Sequence, residues 1–212
     1  MQLLSVSVGR PQIILAQGNP VSSGIIKHPV DGPVMVRSTN LDSDRQSDLS
    51  VHGGIDKAVY AYPSEYYPLW RAELGNPDLS YGNFGENLTT AGLLDREVLI
   101  GDRLQIGEAV LIVTQPRLPC FKLAARLNRP DIGNRMVETA RHGFYLSVAM
   151  EGLVAAGDEI HLLERPASSI TVAELAAVYL GLSTDPDLLT RALSSESVPA
   201  KWKQKFAQRV GV

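Results

Sequence analysis

The chain places its single cysteine in the stretch TQPRLPCFKL, residues 114–123, directly after Pro119 and three residues beyond Arg117. A proline tolerates the first position of a helix, so a helix running from about Pro119 to Leu127 puts Cys120 in its first turn. Unpaired amides and the positive end of the helix dipole there favour a thiolate. Residues 117–142 carry Arg117, Lys122, Arg126, Arg129, Arg135 and Arg141 against Asp131 and Glu138, a cationic segment suited to a phosphate or another anion. A lone cysteine also reads as a small buried hydrophobe, and that reading stays open here.

Two further stretches carry polar chemistry. VHGGIDKAVYAYP, residues 51–63, sets His52 before Gly53 and Gly54, then Asp56 and Lys57. The glycines permit positive φ or close approach of a ligand, and the histidine is either a proton carrier or a satisfied structural group. YGNFGENLTTAGL, residues 81–93, combines three glycines with Asn83, Glu86, Asn87, Thr89 and Thr90. Such a loop suits either recognition of a heterocycle or the capping of a barrel.

The elements that must position these residues follow from local patterning. LLSVSV alternates, GIIKHPVDGPVMV holds two short strands around Asp31-Gly32-Pro33, and EVLIGDRLQIGEAVLIVTQ reads as three strands broken at Gly101-Asp102 and Gly107-Glu108. Helical patterning covers Ser64 to Leu74, with Ser64 as cap and Tyr66, Leu69, Trp70 and Leu74 as the apolar face, and resumes over Ile132 to Arg141. The sheet returns in GFYLSVAMEGLVAAGDEIHLLE. After residue 165 the pattern becomes helical. Thr171 and Glu174 form a capping box for a helix ending at Gly181, Pro186 opens a second helix, and Val198, Trp202, Phe206 and Val210 recur every four residues in a third. Lys201, Lys203, Lys205 and Arg209 occupy the rest of that last helix, as a solvated basic face or as a nucleic-acid reader.

With 44% hydrophobic and 20% charged residues the chain supports one good core. A formal charge of −3 argues against binding nucleic acid over the whole surface and leaves room for a local basic site. One cysteine cannot pair within the chain, and no apolar run reaches membrane-spanning length. The expectation is a cytoplasmic protein with no membrane segment.

VHGGIDKAVYAYP, GNFGENLTTAGL, IGDRLQIGEAVLIVTQPRLPCFKL and SITVAELAAVYLGL, in this order and spacing, resemble the MOSC family, named for the C-terminal domain of molybdenum cofactor sulfurases, and within it the stand-alone bacterial branch. The resemblance implies a mainly β fold with α: a MOSC β-barrel with peripheral helices over residues 1–163 and a three-helix extension over 166–211. It implies a molybdenum cofactor (molybdopterin) and reduction, as a detoxification, of N-hydroxylated bases and related N-hydroxylated compounds. Pyridoxal phosphate binding is a further family-level association.

Carried over by position, Cys120 is the molybdenum ligand, Cys120 and His52 are the catalytic pair, and Lys27, Arg117, Gly53, Gly54, Asn87 and Thr114 bind the cofactor. A soft thiolate suits a high-valent metal already held by dithiolene sulfur. The chain has no flavin or nicotinamide fingerprint, so its electrons are expected from a separate flavoprotein or other reductase. Two other readings stand beside the enzyme: a non-catalytic molybdenum cofactor or sulfur carrier using Cys120, and a nucleic-acid module built on the C-terminal helices.

Overall fold

The computed structural model describes residues 1–47 and 53–210, without the side chains of Arg209 and Val210. Eight strands form one mixed sheet: β1 (Gln2–Val8), β4 (His28–Pro29), β6 (Val59–Pro63), β7 (Leu88–Ala91), β8 (Arg103–Ile106), β9 (Ala109–Pro116), β10 (Phe144–Met150) and β12 (Ile160–Glu164). Their order is β12-β8-β9-β10-β6-β7-β1-β4, antiparallel throughout except for β6 beside β7. The sheet curls until β1 meets the segment leading into β12, through a bridge between Gln2 and Glu159 and bonds from Leu3 N to Asp158 O (2.9 Å) and Gly157 N to Leu3 O (2.8 Å). The ladder is therefore not continuous around a closed barrel, while the mainly β class with helices around it holds. Two antiparallel pairs lie outside it, the hairpin of β2 (Gln12–Ala16) with β3 (Asn19–Ser23), and the long-range pair of β5 (Val34–Val36) with β11 (Gly152–Val154).

The helices are α1 (Tyr66–Leu74), α2 (Phe121–Leu127), α3 (Ile132–Thr139), α4 (Val172–Leu180), α5 (Pro186–Ser194) and α6 (Ala200–Val210). The capping box on α4 forms as its sequence dictates: Glu174 N donates to Thr171 Oγ1 (3.1 Å) and Thr171 N to Glu174 Oε2 (2.8 Å). Three local expectations change. Glu65 rather than Ser64 precedes α1, and its buried face is Tyr67 and Trp70 while Leu69 is exposed. Pro68 falls in the first turn of α1, where its missing amide costs nothing. Residues 97–115 form two strands instead of three, because Gly101 (φ 93°) turns the chain and residues 98–100 instead bond to residues 170–172 ahead of α4.

Two apolar clusters result. The larger runs from Leu3, Val6 and Leu88 through Ile100, Leu111 and Val113 to Val172, Leu175, Trp202 and Phe206, so the sheet and the C-terminal helices share one core. The smaller is aromatic: Tyr60, Tyr62, Tyr67, Trp70 and Phe84 pack with Leu123, Ile132 and Met136. Tyr62 stacks on Phe84 at 4.6 Å, and Trp70 Nε1 donates to the Tyr62 hydroxyl (2.6 Å). This second cluster is the rigid floor beneath Cys120, built from β6, α1, α2 and α3.

Candidate functional site

Cys120 is the residue before α2, in extended conformation (φ −135°, ψ 158°), with Phe121 as the first helical residue. The expectation of a first-turn cysteine is corrected by one position, and a seven-residue helix is a modest dipole. The sulfur instead meets a charge on its own loop. Arg117 Nη2 lies 3.7 Å from Cys120 Sγ, and Arg117 Nη1 lies 3.7 Å from Met136 Sδ.

Arg117 is buried, its guanidinium 5.6 Å from the Tyr60 ring centroid. Burial disfavours its charge, but the Tyr60, Cys120 and Tyr145 groups around it raise its pKa above the ordinary value. No carboxylate pairs with it among the described residues. A buried cation facing sulfur and phenol is incompletely compensated.

Around this pair opens a cleft enclosing about 580 Å³, counting its open mouth, with Lys27, Asn87, Arg117, Cys120 and Lys122 in its walls beside Tyr60 and Tyr145. Lys27 is buried against Asp44, which accepts its ammonium proton; burial lowers the lysine's pKa although Asp44 pulls the other way. Asp44 also accepts from Gly9 N (2.9 Å) and from Asn87 Nδ2 (3.0 Å), tying three segments of the cleft together. Asn87 has little capacity left for a ligand, since Nδ2 also reaches Ser7 O (3.2 Å) and Oδ1 accepts from Tyr60 N (3.1 Å). Lys122 Nζ donates to Ser22 O (3.0 Å) and Ser47 Oγ (3.2 Å), closing the cleft against β3.

Gly53 and Gly54 line an adjoining groove together with Cys120, and Gly54 adopts φ 96°, which its missing Cβ makes inexpensive. Thr114 supports the site from behind. Its hydroxyl donates to Asp56 O (2.6 Å), with Tyr145 O 3.1 Å away, and so fixes the turn Ile55–Lys57 against β9 and β10. His52 lies outside the described residues.

The structure thus brings Cys120, Arg117, Lys27 and Asn87 into one cleft and sets Gly53 and Gly54 on its flank. Of the cationic segment, Lys122 joins Arg117 in the cleft wall, while three arginines are held elsewhere. Arg129 and Arg135 bind Asp131 (2.9 and 2.6 Å), and Arg141 binds Glu73 (2.6 Å) over the Trp70 ring. The loop at 81–93 likewise turns inward: buried Glu86 accepts from the Tyr67 hydroxyl, Gly82 N (2.7 Å), Phe84 N (3.1 Å) and Thr89 Oγ1 (3.1 Å). Its role is to shape the cleft wall. Asp44, Tyr60 and Tyr145 escape sequence reasoning, since nothing local marks an aspartate whose partners lie 17, 35 and 43 residues away.

The MOSC domain pattern matches residues 48–161. YflK of Bacillus subtilis is 38% identical over 207 residues, covering 98% of this chain and 93% of that protein. A Gibberella moniliformis protein named reductase is 39% identical over 190 residues, 88% of this chain but 34% of its own length, so the chain corresponds to about a third of it. The crystal structure of YiiM from Geobacillus stearothermophilus superposes with a TM-score of 0.82 at 32% identity, covering 99% of this chain and 98% of that one. Sequence and architecture therefore agree over nearly the whole length, C-terminal helices included: the chain belongs to the MOSC domain family.

Proposed function

We propose that the protein is an oxidoreductase that holds a molybdenum cofactor in the Cys120 cleft and reduces N-hydroxylated bases and related N-hydroxylated compounds, with electrons from a separate flavoprotein or other reductase. The observation that carries this reading is the Arg117–Cys120 pair, a soft sulfur donor 3.7 Å from a buried guanidinium that no carboxylate among the described residues pairs with. The residues present fit such a group. Cys120 offers one soft thiol ligand at the cleft wall, which suits a metal that brings its other ligands with the cofactor. Arg117, Lys27 and Lys122 supply positive charge for an anionic cofactor.

When bound, the group supplies the two electrons of the reaction R–NHOH + 2e⁻ + 2H⁺ → R–NH₂ + H₂O. The chain's own residues orient and exclude. Tyr60 and Tyr145, with ring centroids 5.4 Å apart, give apolar walls for a flat base. Burial raises the Tyr145 pKa although Arg117 pulls it down, so its hydroxyl keeps its proton and remains a donor at the cleft wall. Asp44 holds Lys27 and Asn87 in place behind it.

The test uses protein made in a cofactor-competent host, reduced, and mixed with an N-hydroxylated base while reoxidation is followed. The parent is expected to reoxidise in step with amine formation, and loaded Cys120→Ser to do so about 100-fold more slowly. Loading without turnover would make the chain a carrier, and parent-rate turnover by the loaded serine variant would remove Cys120 from the metal.

A further inference from the structure

Beside the Cys120 cleft runs a larger open groove enclosing about 1840 Å³, mouth included. Lys57, Cys120 and Tyr145 line both, so the two spaces are continuous. The far wall is α6. Trp202 and Phe206 are buried, and Lys201, Gln204, Lys205 and Gln208 of the same helix line the groove beside the exposed edge of Trp202.

Lys201 and Lys205 stand one turn apart on this wall, an arrangement of like charges that is unfavourable by itself. Neither has an ion-pair partner among the described residues; Lys205 Nζ sits 3.5 Å from the Tyr179 ring centroid instead. Across the groove, burial and then the charge of Lys201 lower the pKa of Lys57. The one carboxylate in the described lining is Asp56. A chain of net charge −3 has thus gathered ammonium groups along a concave wall that opens onto its aromatic cleft.

We propose that this groove receives the phosphate groups of a nucleotide whose base enters the Cys120 cleft, so that the preferred substrate is an N-hydroxylated nucleotide rather than the free base. The reaction in this inference rests on the proposed reductase function, while the phosphate site rests on the groove alone. Flexible ammonium groups suit a phosphate chain of variable length, and glutamine amides add neutral donors. Concavity favours a small ligand over a protein partner, whose docking needs a broad complementary face.

The experiment compares adenine, adenosine, AMP and ATP by titration calorimetry with cofactor-loaded protein at low salt, in the parent and in Lys201→Gln/Lys205→Gln. Lys201 is exposed and Lys205 half-buried over Tyr179, so circular dichroism and the thermal midpoint verify folding of the variant. ATP is expected to bind at least about tenfold more tightly than adenosine, with the gain shrinking as salt rises and vanishing in the double variant while adenosine binding is unchanged. In turnover, N6-hydroxyadenosine triphosphate should exceed N6-hydroxyadenine in kcat/KM by a similar factor, and ATP should inhibit reduction of the free base competitively.

Equal affinity for adenosine and ATP, a phosphate gain that survives in the double variant, or non-competitive inhibition overturns the inference. So does tight binding of a single-stranded oligonucleotide that ATP does not displace. The two readings fail separately. Absence of N–OH reduction would leave ATP binding and its loss in the variant intact, whereas a wrong assignment of the groove would leave reduction of the free base untouched.

Discussion

Asp95 and His142 are buried ionisable groups on the back of the Arg117 loop, and they respond to pH in opposite senses. Burial pushes the Asp95 carboxyl up to about 7 against the pull of the Tyr66 hydroxyl, 3.0 Å away. Burial, followed by the charge of Arg117, pulls His142 down to about 4, and its Nδ1 has no hydrogen-bond partner among the described residues. Between pH 4 and 7 the folded protein keeps a proton on Asp95 that the unfolded chain has lost, so this group's contribution to stability falls as pH rises. Between pH 4 and 6.5 the unfolded chain protonates His142 while the folded one does not, so that contribution rises with pH. Urea unfolding across this range tests both signs. The stability difference, parent minus Asp95→Asn, should fall by on the order of 4 kcal/mol from pH 4 to 7, and the difference for His142→Asn should rise by on the order of 3 kcal/mol from pH 4 to 6.5. Two flat difference profiles would show that neither group is desolvated as its burial indicates. At this scale the sequence discloses Cys120 and Arg117, which are rare in type and close along the chain. It conceals Asp44, whose role depends on three distant contacts.

α6 is legible because its period of four survives folding: Val198, Trp202 and Phe206 are buried, as their spacing requires. What the period does not reveal is the destination of the indole N–H. Trp202 Nε1 donates to Oε1 of buried Gln115 on β9 (2.6 Å), and the indole ring packs 4.2 Å from Tyr179 on α4. Trp202→Phe keeps most of the apolar contact but leaves the Gln115 oxygen unpaired, at a cost of about 1–3 kcal/mol. Trp202→Ala adds a cavity and should cost about 3–5 kcal/mol. Chemical denaturation gives both values. An alanine variant within 1 kcal/mol of the parent, on the same approximate scale, would mean that α6 is not anchored through this residue. The missed boundaries have equally local causes. Residues 98–100 look like a strand because they are apolar and two of them, Val98 and Ile100, are β-branched, yet they bond to the approach of α4 and join no ladder.

Across the molecule, the side chains of the Cys120 cleft all come from residues before 146, whereas one apolar cluster crosses from the sheet into α4, α5 and α6. Sequence leads one to expect a division at 163–166; the cleft side chains come from the first span, and the helices of the second pack on the same core as the sheet. Deleting residues 166–212 should leave a folded sheet that retains cofactor at the parent level. It should also bind a hydrophobic dye and melt at a lower temperature, because Ile100, Leu111 and Val113 lose their cover. Metal content, dye fluorescence and calorimetry on the truncated chain report these outcomes together. A folded truncation without cofactor would mean that the helices help to hold it, and a truncation that does not fold would make the chain one cooperative unit.

The sequence by itself determined the elements whose signals are local: the alternation of β1, the caps and stripes of the three last helices, and the arginine–proline–cysteine loop at the end of β9. Those signals reside in neighbouring residues, whose φ/ψ preferences and periodicity operate before any long-range contact forms. Tertiary structure decided which cations reach the cleft. Of the six between 117 and 142, Arg117 and Lys122 line it, while Arg129, Arg135 and Arg141 are held by carboxylates elsewhere. It also decided that Lys57, from the Gly53–Gly54 turn, shares a groove with Lys201 and Lys205, almost 150 residues further along the chain. The physical reason is that charge pairing and burial depend on distances through space, set by how the sheet curls and where the helices dock, and no one-dimensional pattern encodes them.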